Sequence, residues 1–410
     1  MSGTAFGGLW RLAPVALMGG LGGGLVFPIL PALGPALGIS GLMIGLILSA
    51  NRITRLAFDA PAGHLVDRLG GRGPITLGLL IEALGILCYS LALRVGPPAG
   101  WLLFGRAVFG VGSAMLMVGV QATALGLSTR EDRGRKMAGV RIAMSLGMPL
   151  GMVLGGLLAE RYSDDTAFLA GAASTFAAAG IAARLIPPVP RGPRQSGPRE
   201  GLLARLRTLA RLPAFPFMAT AWGFNLLIFL SVQGVMLATL VLLVQARGIR
   251  VLGLADQGSA GLVMAVMMGS GSLAGLLLGR LIDRLHLRSS LLLPSLLGLA
   301  AGFAVLALAQ RSETVMLGVM LIGLSFNGVT LPLLALLGDV TPPSAYGRAM
   351  GVYQIFGDIG GSLGPVVGLD LCLRFGATPV YAGLSLIVAG TFAVALWVRR
   401  REGRWRAAAR

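Results

Sequence analysis

The residues of this chain that can do chemistry are few, and they sit in apolar company. NRITRLAFDA, residues 51–60, holds Arg52, Arg55 and Asp59 inside an otherwise hydrophobic run. At 100° per residue the three fall within about 60° of one another on a helix. Arg55 and Asp59 have the i,i+4 spacing of an ion pair. Arg52 lies about 16 Å from Gly63, near the middle of a hydrocarbon core of about 30 Å. A guanidinium there suits an anionic group, or a carboxylate from another helix such as Glu82 or Asp358. Glu82 and Asp358 each fall about 12–15 Å inside their own runs, and an acid held out of water can load and unload a proton. Asn225, Gln233, Asn327 and Gln354 add uncharged polar groups that either line a cavity or bond between helices. A charge at mid-bilayer costs about 2.5–3.5 kcal/mol on insertion scales, so such residues face a cavity or each other.

Other chemistry is missing from the sequence. The two histidines, His64 and His286, are too far apart for a metal motif. There is no phosphate-binding Gly-rich loop, catalytic triad or zinc spacing. Cys88 and Cys372 fall in or beside apolar runs and read as two lone thiols. The expectation is a protein that is not an enzyme and carries no metal and no cofactor.

The elements that must position these residues follow from composition. The chain has 410 residues, 55% hydrophobic and 12% charged, with a mean hydropathy of +0.82. Soluble domains carry about 25% charged residues, so this chain needs lipid as its solvent. Only helices and closed barrels span lipid, and long apolar runs rather than short alternating ones select helices. Twelve runs are read, at 11–32, 41–62, 74–94, 100–127, 138–159, 166–186, 215–245, 257–282, 290–309, 314–338, 348–370 and 379–398. The first is read as a retained helix rather than a cleaved signal.

The formal charge of +18 is distributed by topology. Arginines crowd residues 187–213, the loop 128–137 and the tail 399–410. With both termini cytoplasmic, all of these fall on the inner side, as do Arg68, Arg72, Arg284, Arg288 and Arg348, which is the positive-inside pattern. The excess therefore meets anionic membrane lipid rather than nucleic acid. The Pro- and Arg-rich stretch 187–214 reads as a cytoplasmic linker, with GLLARLRTLARL a basic amphipathic helix on the membrane surface. It divides an N-terminal bundle of six helices, 1–186, from a C-terminal bundle of six, 215–398, followed by a basic tail, 399–410.

The two halves repeat. Gly63, Leu65, Asp67 and Arg68 recur as Gly279, Leu281, Asp283 and Arg284. Gly134, Arg135 and Met137 recur as Gly347, Arg348 and Met350. Gly147, Gly151 and Gly155 recur as Gly360, Gly364 and Gly368, with Pro365 among them. Paired halves with a site between them are a transporter design. Glycines every fourth residue share one helix face and let helices approach closely in lipid. The rows read either as close packing or as seams that open and seal a cavity, and Pro365 is expected to bend its helix.

On these residues the chain resembles the major facilitator superfamily, twelve-helix type. GHLVDRLGGR, Gly63–Arg72, resembles that family's signature between its second and third helices, with Gly71 where a basic residue is usual. GRAVFGVGSA, Gly105–Ala114, resembles the fourth-helix signature, with Arg106 in the arginine position. GMPLGMVLGG, Gly147–Gly156, resembles the fifth-helix signature of drug/proton antiporters, with Met152 in place of its proline. GSLGPVVG, Gly361–Gly368, keeps that proline.

The resemblance implies an all-helical membrane fold of two pseudo-symmetric halves and transport by alternating access. It implies a conformational latch at Gly63, Asp67, Arg68 and Arg72, weaker and structural at Asp283 and Arg284, and a part in proton transfer for Arg106, about 8 Å inside its run. The expected function is proton-coupled efflux of a small organic solute, by a monomer in the cell (inner) membrane. The alternatives are uptake of a small, anionic metabolite and a non-transporting sensor or scaffold. Arg52, Arg55, Asp59, Glu82, Arg106, Asn225, Asn327 and Asp358 are the expected substrate and proton pathway.

Overall fold

The structure is a computed structural model and describes residues 3–128, 133–186, 202–285, 287–342 and 345–408. Among these residues every regular element is helical. Twelve helices are long and apolar enough to cross a membrane, from Arg11–Ala36 to Ala377–Trp405. The chain runs α1 (Gly3–Leu25), α2 (Leu30–Ala36), α3 (Gly41–Leu69), α4 (Arg72–Ala92), α5 (Pro98–Gly126), α6 (Arg133–Arg161) and α7 (Asp164–Leu185). It continues through α8 (Leu202–Ala210) and α9 (Phe215–Ile228). A π-helical segment, Phe229–Met236, joins α9 to α10 (Leu237–Ala246). Then come α11 (Asp256–Arg284), a short 3₁₀ turn at Arg288–Leu291, α12 (Leu292–Leu308), α13 (Ser312–Val340), α14 (Tyr346–Phe375), α15 (Ala377–Gly390) and α16 (Phe392–Ala408).

Local chemistry sets many of the boundaries. Ser40 starts α3 by accepting from the Met43 amide at 3.4 Å, and Gly70, at φ +76°, ends it. Only glycine takes that backbone region without strain. Ser163 caps α7, and Asp164 and Asp165 in its first turn oppose Arg184 in its last, the favourable sense for the helix dipole. The first span breaks in two at residues 26–29, before α2.

Pro365 lies inside helix α14, which runs without interruption from Tyr346 to Phe375. Helix α16 extends into the basic tail as far as Ala408; Arg, Glu and Ala are strong helix formers, and Glu402 is fully buried. Of the linker, α8 is helical, and residues 187–201 lie outside the described residues.

The chain forms two compact units. One comprises residues 1–196 and 244–265, the other residues 197–243 and 266–410. In the first, α4 packs on α5 and α7, α1 on α6 and α7, and α3 on α5. Its core joins Leu12, Val15, Ile75, Leu79, Leu116 and Val120. In the second, α12 packs on α13 and α15, and α14 on α9 and the π segment.

The glycine rows act inside their own units. A Cβ on Gly147, Gly151 or Gly155 would run into the backbone carbonyls of Leu17, Leu21 and Leu25 respectively, so α6 and α1 touch backbone to backbone over about two turns. A Cβ on Gly360 would meet the Leu226 carbonyl, and one on Gly364 would meet the Leu230 carbonyl at 2.6 Å. One turn further on, Gly368 faces Val235.

Candidate functional site

In the first unit the buried polar groups converge on α4 and α5. Glycines make this possible. A Cβ on Gly85 would lie 2.7 Å from the Gly105 carbonyl, and one on Gly112 would lie 2.7 Å from the Glu82 amide and 2.8 Å from its Cγ. The two helices are therefore close enough to enclose both ionisable side chains. Glu82 is 2% exposed and Arg106 is 1% exposed. Glu82 Oε2 has no hydrogen-bond partner among the described residues, and neither do Arg106 Nε and Nη2. The Arg106 guanidinium lies over the Phe27 ring, 5.3 Å to its centroid, and over Tyr89 at 6.0 Å. Two aromatic faces partly offset the burial of a cation. Tyr89 is within electrostatic reach of both Glu82 and Arg106. Leaving polar atoms of ionisable groups buried without partners is costly, and that sets this cluster apart from the exposed charges of the same unit.

On α3, Arg52, Arg55 and Asp59 are all half-buried. All three are already engaged by interactions within the protein, so an anion reaching Arg52 must compete for it. At the end of α3, Asp67 and Arg68 are exposed, whereas the Arg72 side chain donates to the Ala183 carbonyl on α7. That contact ties the α3–α4 turn to the last helix of the same half.

The second unit holds its polar groups differently. Asn225 is buried; its Nδ2 donates to the Tyr353 carbonyl at 2.7 Å, and its Oδ1 has no partner among the described residues. Asn327 Nδ2 donates to the Gly271 carbonyl at 2.6 Å, joining α13 to α11. Asp358 is 3% exposed and accepts from Gln354 Nε2 at 3.2 Å. Asn225 and Asn327 thus bond between helices through their nitrogens, whereas Gln354 bonds within α14. The backbone of Asp283 and Arg284 closes α11, and their side chains lie outside the described residues.

Two carboxylates escaped the sequence reading. Glu160, near the end of α6, accepts from the amides of Ala255 at 2.8 Å and Gly258 at 3.2 Å, capping the start of α11 from another helix. Beside it Asp164 accepts from Gln257 Nε2 at 2.9 Å. Glu402, on α16, accepts from the amides of Arg288 and Ser289, both at 2.9 Å, and from the Ser289 hydroxyl at 2.5 Å. In the sequence it stands as the single acid of VRRREGRWR. Among the described residues no group of His, Cys, Asp and Glu has the arrangement of a metal site.

Comparison with known proteins agrees with this architecture. A sequence profile of the Major Facilitator Superfamily matches residues 12–269 and 252–410. Multidrug resistance protein 1 of Bacillus subtilis (strain 168) is 32% identical over 158 residues, 38% of this chain and 40% of that one. Quinolone resistance protein NorA of Staphylococcus aureus is 28% identical over 152 residues, 37% of this chain and 38% of that one. The aligned stretch thus spans less than half the length of these relatives. Among solved structures, a variant of the nucleoside transporter NupG superposes with a TM-score of 0.79 at 17% identity, covering 94% of this chain and 99% of that one. The profile spans both halves, and the chain belongs to the major facilitator superfamily.

Proposed function

We propose that this protein is a secondary transporter that exports a small organic solute in exchange for protons, with Glu82 and Arg106 as the coupling pair. The observation that carries the reading is the buried carboxyl oxygen of Glu82 and the two buried guanidinium nitrogens of Arg106, all without hydrogen-bond partners in one unit. A group so held gains a partner when a proton or a solute arrives, and coupling needs that dependence. The drug-resistance relatives support export as the direction. Asn225, Asn327, Asp358 and the α3 residues Arg52, Arg55 and Asp59 complete the proposed pathway. Asp67 and Arg68 serve as the latch, with Arg72 holding its turn and Asp283 and Arg284 as the second copy. The arginine distribution supports a reading with both termini in the cytoplasm. Uptake of an anionic metabolite is the second reading, favoured by the unused donors of Arg106.

The test is transport in proteoliposomes, with a panel of dyes and drugs and an imposed pH gradient. Glu82→Gln is expected to lose at least about tenfold of gradient-driven transport while keeping gradient-independent exchange. Equal gradient response in Glu82→Gln and the parent would end the coupling assignment.

A further inference from the structure

The end of α16 holds a second arrangement of buried and exposed charge, separate from the pathway above. Residues 399–410 carry six arginines and one acid. That acid, Glu402, is turned inward and 0% exposed, fixed by its three donors at Arg288 and Ser289. Its setting fixes the rotation of the helix. At 100° per residue, Trp397, Arg401, Arg404 and Trp405 then share a stripe about 100° wide. These four, with Pro213 just before α9 and Phe217 in its first turn, line one pocket. The Arg401 guanidinium stacks on Trp397 at 4.9 Å and on Phe217 at 5.6 Å. Stacking fixes its plane and leaves its N–H edge available. Among the described residues no carboxylate lines the pocket, and Arg207 and Arg211 are exposed on the chain that leads into it.

Position decides what the pocket takes. It lies where the last membrane span, Ala377–Trp405, ends and the span Phe215–Ala246 begins. Tryptophan at a span end sits at headgroup level, and guanidinium groups bind phosphate oxygens two at a time. We propose that this pocket is a specific site for the phosphate headgroup of an anionic phospholipid. Arg401 and Arg404 hold the phosphate, and Trp397, Trp405 and Phe217 lie against the glycerol and upper acyl chain. The same helical turn carries Glu402, so the bound lipid braces the turn at residues 288–291 that follows α11.

The test is thermal unfolding of the full chain in a zwitterionic detergent, with added phosphatidylglycerol, phosphatidylcholine or inorganic phosphate. Phosphatidylglycerol alone is expected to raise Tm, by roughly 5 °C at saturating lipid. Arg401→Gln with Arg404→Gln removes that shift. Arg399→Gln with Arg400→Gln, the same change of charge on exposed neighbours, keeps it. Should the first pair not fold, Arg404→Gln alone is compared with the parent by native mass spectrometry, counting retained phosphatidylglycerol. An equal response to phosphatidylcholine or to free phosphate, equal loss in both pairs, or unchanged lipid retention in Arg404→Gln overturns the site.

Discussion

The two glycine rows come from one repeated sequence pattern and pack differently. In the first unit, Gly147, Gly151 and Gly155 meet the carbonyls of Leu17, Leu21 and Leu25, keeping one register throughout. In the second, Gly360 and Gly364 meet the carbonyls of Leu226 and Leu230, and Gly368 then meets Val235 rather than residue 234. The slip falls within the π segment Phe229–Met236, where a wider turn takes in one extra residue. The same segment holds Ser231, whose buried hydroxyl lacks a partner among the described residues. A repeat in sequence therefore specifies which helices touch but not that they touch equally. The first unit has a continuous backbone seam, and the second has one that loosens at one end.

The largest expected effect breaks the tight seam. Gly151→Ala places a methyl against the Leu21 carbonyl, the Leu25 amide nitrogen at 2.9 Å and Gly24 Cα at 3.0 Å, all backbone. No side chain can turn aside, so the helices must part, at about 3 kcal/mol or more. Gly368→Ala meets the Val235 Cγ1 methyl at 2.7 Å and its Cα and Cβ at 3.0 Å, a looser fit with no carbonyl against it, and is expected to cost about 1–2 kcal/mol. Thermal unfolding in detergent measures both. Equal losses would mean that the register slip has no mechanical consequence.

The repeated turns between helices sharpen the same contrast. In the first unit the turn after α3 is held by Arg72, an exposed side chain donating to a single carbonyl. In the second, the turn after α11 is held by Glu402, which is fully buried and accepts from three donors. Glu402→Ala strands those donors away from water, at about 1–3 kcal/mol for the first group left unpaired. Arg72→Ala is expected to stay within about 1 kcal/mol, because water reaches both partners. A Tm that falls further for Arg72→Ala than for Glu402→Ala would reverse this ranking of the turns.

The twelve spans were legible because span length and hydropathy follow from lipid thickness alone. The glycine rows were legible for a related reason: spacing by four defines a face whatever it touches. Glu82 and Arg106 stood out as charges in apolar runs, and both are buried. Partners were a different matter. Arg52 was read as the anion site because its own helix offers Arg55 and Asp59 to each other, yet it is engaged within the fold. Glu160 and Glu402 went unread because each caps the start of a helix distant in sequence, and no local pattern encodes a cap supplied from another helix. The π segment was likewise silent: Ser231, Gln233 and Gly234 make FLSVQGVM somewhat less apolar than the rest of its span, but residue type does not encode a turn that holds one extra residue.

Those two carboxylates also differ from each other, and Glu160 gives the most local of the expected effects. Glu402 is sealed, whereas Glu160 sits at the exposed end of α6 and holds only two amides, those of Ala255 and Gly258. The first amides of a helix have no partner within it. Any protection of these two from hydrogen exchange must therefore come from the carboxylate. Glu160→Gln leaves one acceptor oxygen and turns an NH₂ group toward the other amide. Exchange at Ala255 and Gly258 is expected to quicken by about tenfold, the equivalent of about 1.4 kcal/mol and within the range for a charged hydrogen bond. Amides deeper in α11 should be unchanged, because their acceptors are its own carbonyls. Parent-like exchange at both amides would show that the loop is held by its apolar contacts, such as the close approach of Gly261 to the Met152 carbonyl, and that Glu160 is incidental. Acceleration spreading along α11 would show instead that this one cap secures the entry of the whole helix, as Glu402 does for the turn at residues 288–291.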